Sequence, residues 1–197
     1  MRRFALGFLA AVIFSAVALF LFLRLGMVDP RADMPVSAME RGMAMPSLDA
    51  AVERRAPKIT NPVPPTDDNL IAGMKVYQNN CAVCHGDIHQ PHAKLADTMY
   101  PRPPQFVEDP ADMPPHQNFY IIQHGIRMSG MPGWKDILSP PEMWQVTTFL
   151  SSMDKLPQEV SARWKREADV SSADHPDVPF AASGANETRS GMIMPKK

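Results

Sequence analysis

Cysteine, glycine and charge of one sign are all scarce in this chain. Only two cysteines occur in 197 residues, three apart in "CAVCH" (Cys81 to His85). That excludes a disulfide framework, and no second C-x-x-C completes a four-ligand zinc site. Twenty Lys/Arg stand against 21 Asp/Glu, a net charge of −1. Such balance leaves no basic stripe of the kind that nucleic-acid binding needs. Glycine numbers 10 against 21 prolines, more proline than a compact helical domain accommodates, so part of the chain is expected to be linker.

What is present begins with a stretch that lacks charge altogether. "FALGFLAAVIFSAVALFLFL", Phe4 to Leu23, runs for 20 uncharged residues. As a helix it would span about 30 Å, the thickness of a bilayer's hydrocarbon core. A cleaved signal peptide is the alternative, since "AVA" at Ala16 to Ala18 offers small residues. Cleavage there would leave "LFLFL" at the new terminus, and signal cores usually stop at about 7–15 residues. Residues 1–24 are therefore read as a transmembrane anchor. Arg2 and Arg3 favour a cytoplasmic N-terminus, with Arg24 opposing at the far end. The remainder would lie outside the cytoplasm, on the periplasmic side of an inner membrane.

Residues 25–65 hold seven prolines and no sustained period, and read as an extended Pro/Met-rich tether with at most a short helix near Ser47 to Arg55. At Thr66 the pattern changes. "TDDNLIAGMKVYQNN" opens with capping residues and sets Leu70, Met74, Tyr77 and Cys81 on one helical face. "HQNFYIIQH" is a second helix, stopped at Gly125, a residue able to take a left-handed conformation. "SPPE" at Ser139 to Glu142 is a capping box with Pro140 at the first helical position. It opens a third helix that places Met143, Val146, Phe149, Leu150 and Met153 on one side. The folded unit is thus 66–157, and 158–197 is expected to be a polar, mobile tail with one or two helical turns in "EVSARWKREA". A helical unit of that size has a thin core, and a bound group would help to fill it.

C-x-x-C-H reads as covalent attachment of a c-type haem: Cys81 and Cys84 form thioethers while His85 faces the iron. A thioredoxin-type pair needs no following His and sits on a strand-to-helix turn, whereas this motif ends a helix. The second axial ligand is more open. Two methionines lie three apart in "HGIRMSGMPGW", and His116 and His124 offer a bis-histidine alternative. Met131 has the distinctive setting. Pro132 biases it to extended backbone, Gly130 and Gly133 permit close approach to a flat ring, and it lies 46 residues beyond His85. Met128 lacks the proline and is expected to pack.

The segment from Thr66 to about Pro157 resembles the class I, mono-haem cytochrome c family, through "CAVCH", "PQF", "HGIRMSGMPGW" and the closing "PPEMWQVTTFL". The resemblance implies an all-α fold of three to five helices around one covalent haem c. It implies the methionine before proline, Met131, as sixth ligand. It also implies a proline carbonyl receiving the His85 ring N–H, and Pro104 is the matching position. Gly73 and Tyr77 on the first helix would cross Trp144 and Phe149 on the last. Arg102 and Trp134 are candidates for the haem propionates. A metal site at His89 and His92, and Cu(I) binding by "MERGMAM" or the terminal "MIM", stand as weaker alternatives.

Together these readings describe a membrane-tethered electron carrier. Its partners would be other redox proteins, mostly membrane-bound, and the bilayer itself through residues 4–23. A non-catalytic haem subunit of a larger respiratory complex is the nearest alternative. A haem enzyme with an open iron site would require Met131 to be absent or to leave. Six Lys/Arg against ten Asp/Glu between Thr66 and Leu156 give that unit a net −4, which disfavours a strongly acidic docking partner.

Overall fold

The computed structural model describes residues 1–27, 29–32, 34 and 37–174, with side chains through Glu167. Among them the helices are α1 (Arg2–Arg24), α2 (Ala38–Arg55), α3 (Asp67–Asn80), α4 (Ala82–His85), α5 (Pro115–His124), α6 (Pro140–Leu150) and α7 (Gln158–Asp174). Single 3₁₀ turns occupy Lys94–Thr98 and Met153–Lys155, and no strand occurs among the described residues. The all-α expectation holds. Helix α1 buries none of its side chains and is long and apolar enough to cross a membrane.

The domain is built on the crossing of α3 and α6. Thr66 caps α3 through its side chain and Asp67 and Asp68 fill the first turn, where acidic groups complement the helix dipole. Leu70, Met74 and Tyr77 form its buried stripe. Helix α6 begins at the expected capping box, with Ser139 N–H donating to Glu142 Oε2 at 2.8 Å. Its inward residues Met143, Val146, Phe149 and Leu150 are all buried, each contributing roughly 1.5–3 kcal/mol of apolar burial. At the crossing sits Gly73, where a Cβ would lie 2.9 Å from the Phe149 Cβ and closer still to the Gln145 carbonyl. Helix α5 joins through Phe119, stacked on Trp144 with ring centroids 3.8 Å apart.

Two flanking segments differ from the sequence expectation. The tether is not extended throughout, because Ala38–Arg55 is an 18-residue helix capped by Ser37, whose side chain accepts from Glu40 N–H at 3.1 Å. Pro46 lies inside it, which forgoes one intrahelical bond. Tertiary contact offsets that loss, since Val52 and Ala56 are 4% and 5% exposed. Further on, Asn61 Nδ2 donates to Thr148 Oγ1 at 2.8 Å, tying the chain after α2 to α6. The start of the tail is likewise helix rather than free chain. In α7, Val160 and Trp164 stand one turn apart and are both buried, Trp164 edge-on to Phe149 and Tyr77. Two apolar anchors at i, i+4 suffice to dock a helix that is otherwise polar. The rest of the expected tail, 175–197, including "MIM", lies outside the described residues.

Candidate haem site

Cys81 caps the end of α3, and the chain turns at once into the single turn α4, which carries Cys84 and ends at His85. Gly86 follows with φ +79, and a Cβ there would stand 2.8 Å from the Pro91 carbonyl carbon. Only glycine suits both the backbone region and the space. Asp87 then accepts the N–H groups of His89 and Gln90 at 2.7 and 2.8 Å, closing the loop behind the motif.

The His85 ring is oriented from both ends. Its Nδ1 lies 2.8 Å from the Pro104 carbonyl. A carbonyl only accepts, so Nδ1 carries the proton and Nε2 keeps its lone pair. Phe106 stacks on the imidazole at 4.7 Å and 13°, and its backbone N–H donates to the His85 carbonyl. The Tyr77 hydroxyl donates to the Gly86 carbonyl at 2.7 Å, with the His85 carbonyl at 3.2 Å. Burial lowers the His85 pKa, with the bond to Pro104 acting against that shift. The ring is therefore neutral and able to ligate. Burial pushes the Cys81 thiol up to about 12, with Cys84 adding to the shift, and burial raises Cys84 as well.

Across a cavity of about 250 Å³ from this motif lies the loop that follows α5. The helix stops at Gly125, whose φ of +67 and ψ of −173 are positive in φ but not left-handed helical. A Cβ on Gly125 would fall 2.6 Å from Gly133 N and 2.7 Å from the Met131 carbonyl, and one on Gly133 would fall 2.9 Å from the His124 carbonyl. The two glycines thus let the loop fold back on the end of α5. Bonds from Ile126 N–H to Met131 O (3.1 Å) and from Trp134 N–H to Ile122 O (3.0 Å) fix it there. Gly133 serves this closure rather than approach to a ring, as the sequence suggested. Gly130 does face a close neighbour, the terminal methyl of Met99. Ser129 organises the tip, its hydroxyl donating to Ile126 O at 2.7 Å and accepting from Met131 N–H at 3.1 Å.

Met131 lines the cavity together with Cys81, Cys84 and His85. Met128 does not pack as expected. It sits at φ +60 and is 94% exposed, since the left-handed turn aims it at solvent. Of the described histidines, His85 alone lines the cavity. His124 is exposed at the end of α5 against Tyr120, and His116 has a buried Nε2 without a partner among the described residues. His89 and His92 form no metal cluster among the described residues. His89 Nε2 lies 3.0 Å from the Lys165 carbonyl, and His92 Nε2 contacts Asp97 and Arg102. Arg102 and Trp134 both line the cavity, but the Arg102 guanidinium is engaged with Asp97 and His92, so a propionate would compete for it.

Sequence reasoning missed Gln105. Its buried side chain donates to Cys84 O (3.1 Å) and Pro103 O (2.8 Å) and accepts from Ala93 N–H (2.7 Å). It ties the haem motif, the segment bearing Pro104 and the chain before the 3₁₀ turn into one wall. Its place beside Pro104 in "PQF" was the only available signal. Met45, Leu48 and Asp49 of α2 also line the cavity, although the sequence assigned them to the tether. The donor set fits a c-type haem: two thiols, one imidazole whose Nδ1 is held by the Pro104 carbonyl, and the thioethers of Met45, Met99, Met113 and Met131.

No curated protein matches the chain. Among solved structures, a chain of the Kuenenia stuttgartiensis reducing HAO-like protein complex Kustc0457/Kustc0458 is similar at 23% identity and a TM-score of 0.41. The match covers 60% of this chain and 61% of that one. The family model described as cytochrome C oxidase, cbb3-type, subunit III matches residues 68–150, the span from the first turn of α3 to the last residue of α6. Residues 68–150 of this chain form a domain of the cytochrome c family, which implies bound haem and haem-based electron transfer.

Proposed function

We infer that this protein is a membrane-anchored mono-haem cytochrome that carries single electrons between redox partners. One observation carries the reading: two thiols, one pre-oriented imidazole and the Met131 thioether line a single cavity. Cys81 and Cys84 would hold one haem covalently, and His85 Nε2 and Met131 Sδ would be the axial ligands. The haem supplies a reversible one-electron change at its iron, and Met/His ligation raises the potential relative to other axial pairs. The chain's part is to keep that site rigid and dry. The Pro104 carbonyl fixes the tautomer of His85 and its ring direction. Tyr77 and Gln105 hold the backbone on both sides of His85. Ile122, Leu150 and Trp134 exclude water from the cavity. With both axial positions filled by the protein, no open site remains for a substrate, so the protein is not itself an enzyme.

Helix α1 supports anchoring, and the haem domain is assigned to the periplasmic face of an inner membrane because haem c is attached after export. The description of the matching family model, an oxidase subunit, favours a second reading in which the chain is a non-catalytic haem subunit of a larger respiratory complex. The optical spectrum of the oxidised protein tests the ligand assignment through its weak iron–sulfur charge-transfer band. Met131→Ala should abolish that band and Met128→Ala should leave it intact. Loss of the band in Met128→Ala, with retention in Met131→Ala, would refute the assignment.

A further inference from the structure

We propose that α2 is a working part of the haem domain: it covers one side of the haem cavity and shortens the free tether, so that the electron partner is a protein of the same membrane held close to the anchor. The partner half of this proposal rests on the anchored-carrier reading above.

The docking of α2 stands on independent contacts. Met45 and Leu48 line the haem cavity, and one and two turns further on Val52 and Ala56 are buried. These positions recur at the spacing of one helical face. A polar contact closes the same seam, since Gln117 Nε2 of α5 donates to Glu53, which also pairs with Lys58 at 3.3 Å. Beyond α2 the chain never leaves the domain, for Asn61 is bonded to Thr148 of α6. Met45, Leu48, Val52, Glu53, Ala56 and Asn61 all precede the 68–150 match, while the partner residues Gln117 and Thr148 lie inside it, so α2 is an addition that packs on the family domain.

The consequence for reach follows from chain geometry. A tether free from Leu25 to Pro65 would have 41 residues and a maximum span of about 140 Å. With α2 docked, the sequence between the two helices runs only from Leu25, which caps α1, to Ser37, which caps α2. Thirteen residues reach about 45 Å at most. Effective concentration at a nearby partner falls roughly as the −3/2 power of tether length, so the shorter tether raises it about fivefold. A short tether of that kind suits a redox protein embedded in the same bilayer and ill suits a soluble acceptor. It also leaves partners to approach the haem from sides other than the one under Met45 and Leu48.

The test uses the full-length, haem-loaded protein in native membrane vesicles. Limited trypsin digestion, mapped by mass spectrometry, compares Arg31 in the tether with Arg54 and Arg55 at the end of α2. Cleavage at Arg54 and Arg55 is expected to be at least tenfold slower than at Arg31, and Val52→Asp should remove that protection. Equal rates in the unmodified protein would overturn the docking of α2. A second variant inserts 28 Gly/Ser residues between Pro30 and Arg31, restoring the longer tether without touching the domain. Haem reoxidation by the membranes should then slow about fivefold. An unchanged rate with α2 still protected would overturn the tether assignment while leaving the docking in place. If the fragment released by cleavage at Arg31 reoxidises as fast as the anchored protein, the anchored-carrier reading itself fails.

Discussion

Replacing Gly73 by alanine sets two effects of opposite sign against each other. Gly73 lies in the interior of α3, where alanine is intrinsically better by about 1 kcal/mol. The same Cβ would stand 2.7 Å from the Gln145 carbonyl carbon and 2.9 Å from the Phe149 Cβ. Those neighbours are a helix backbone and the root of a fully buried ring, so neither can swing aside and the helices must part. Overpacking of this kind costs about 1–3 kcal/mol, and a backbone neighbour places this site at the upper end. The net expectation is a loss of about 2 kcal/mol, the upper-end clash less the propensity gain. For a domain of this size each kcal/mol moves Tm by about 4–8 °C, so Tm should fall by roughly 8–16 °C. Thermal unfolding of the haem-loaded protein, followed by far-ultraviolet circular dichroism, reads this directly. Gly42→Ala is the control, since no atom lies within 4 Å of its added Cβ, and its Tm should be unchanged or slightly raised. A Gly73→Ala protein as stable as the parent would refute the close crossing of α3 and α6.

Gln105→Ala removes three hydrogen bonds from a buried position. At about 1 kcal/mol each, the loss should approach 3 kcal/mol, read as a lower denaturant midpoint at unchanged slope; an unshifted midpoint would contradict its role in the cavity wall. Glu142 is held below the usual carboxylate range by hydrogen bonds from the Ser139 side chain and backbone. A depressed folded-state pKa stabilises above the unfolded value, near 4.3, and that contribution is lost as pH falls through the folded value. Glu142→Gln should therefore lower Tm at neutral pH, with the gap closing in acid; a gap that widens on acidification would contradict this.

The haem motif was legible because it is local. Cys81, Cys84 and His85 are adjacent in sequence, and one helical turn is enough to place them together. The same holds for the Ser139–Glu142 capping box and for the buried stripes of α3 and α6, whose period of 3.6 is written in the residues. The partner of the His85 ring, Pro104, was reached through resemblance, and its carbonyl does lie 2.8 Å from Nδ1. Met128 was misread because nothing local announces that a non-glycine residue will take φ +60. That conformation is imposed by the closure of the loop through Gly125, Gly133 and Ser129.

The uncharged N-terminal span, the C-x-x-C-H motif and the helices around it can be read along the chain, since each depends on neighbours within a few positions. The places of α2 and α7 follow from packing between distant segments. Their compositions are polar and interrupted, and α2 contains Pro46. Each is held by a few apolar anchors, Val52 and Ala56 in one and Val160 and Trp164 in the other. Burial of so few side chains leaves little periodic signal, yet it suffices when the receiving surface already exists. That surface is assembled by distant segments, and its shape is a property of the fold rather than of any stretch of the chain.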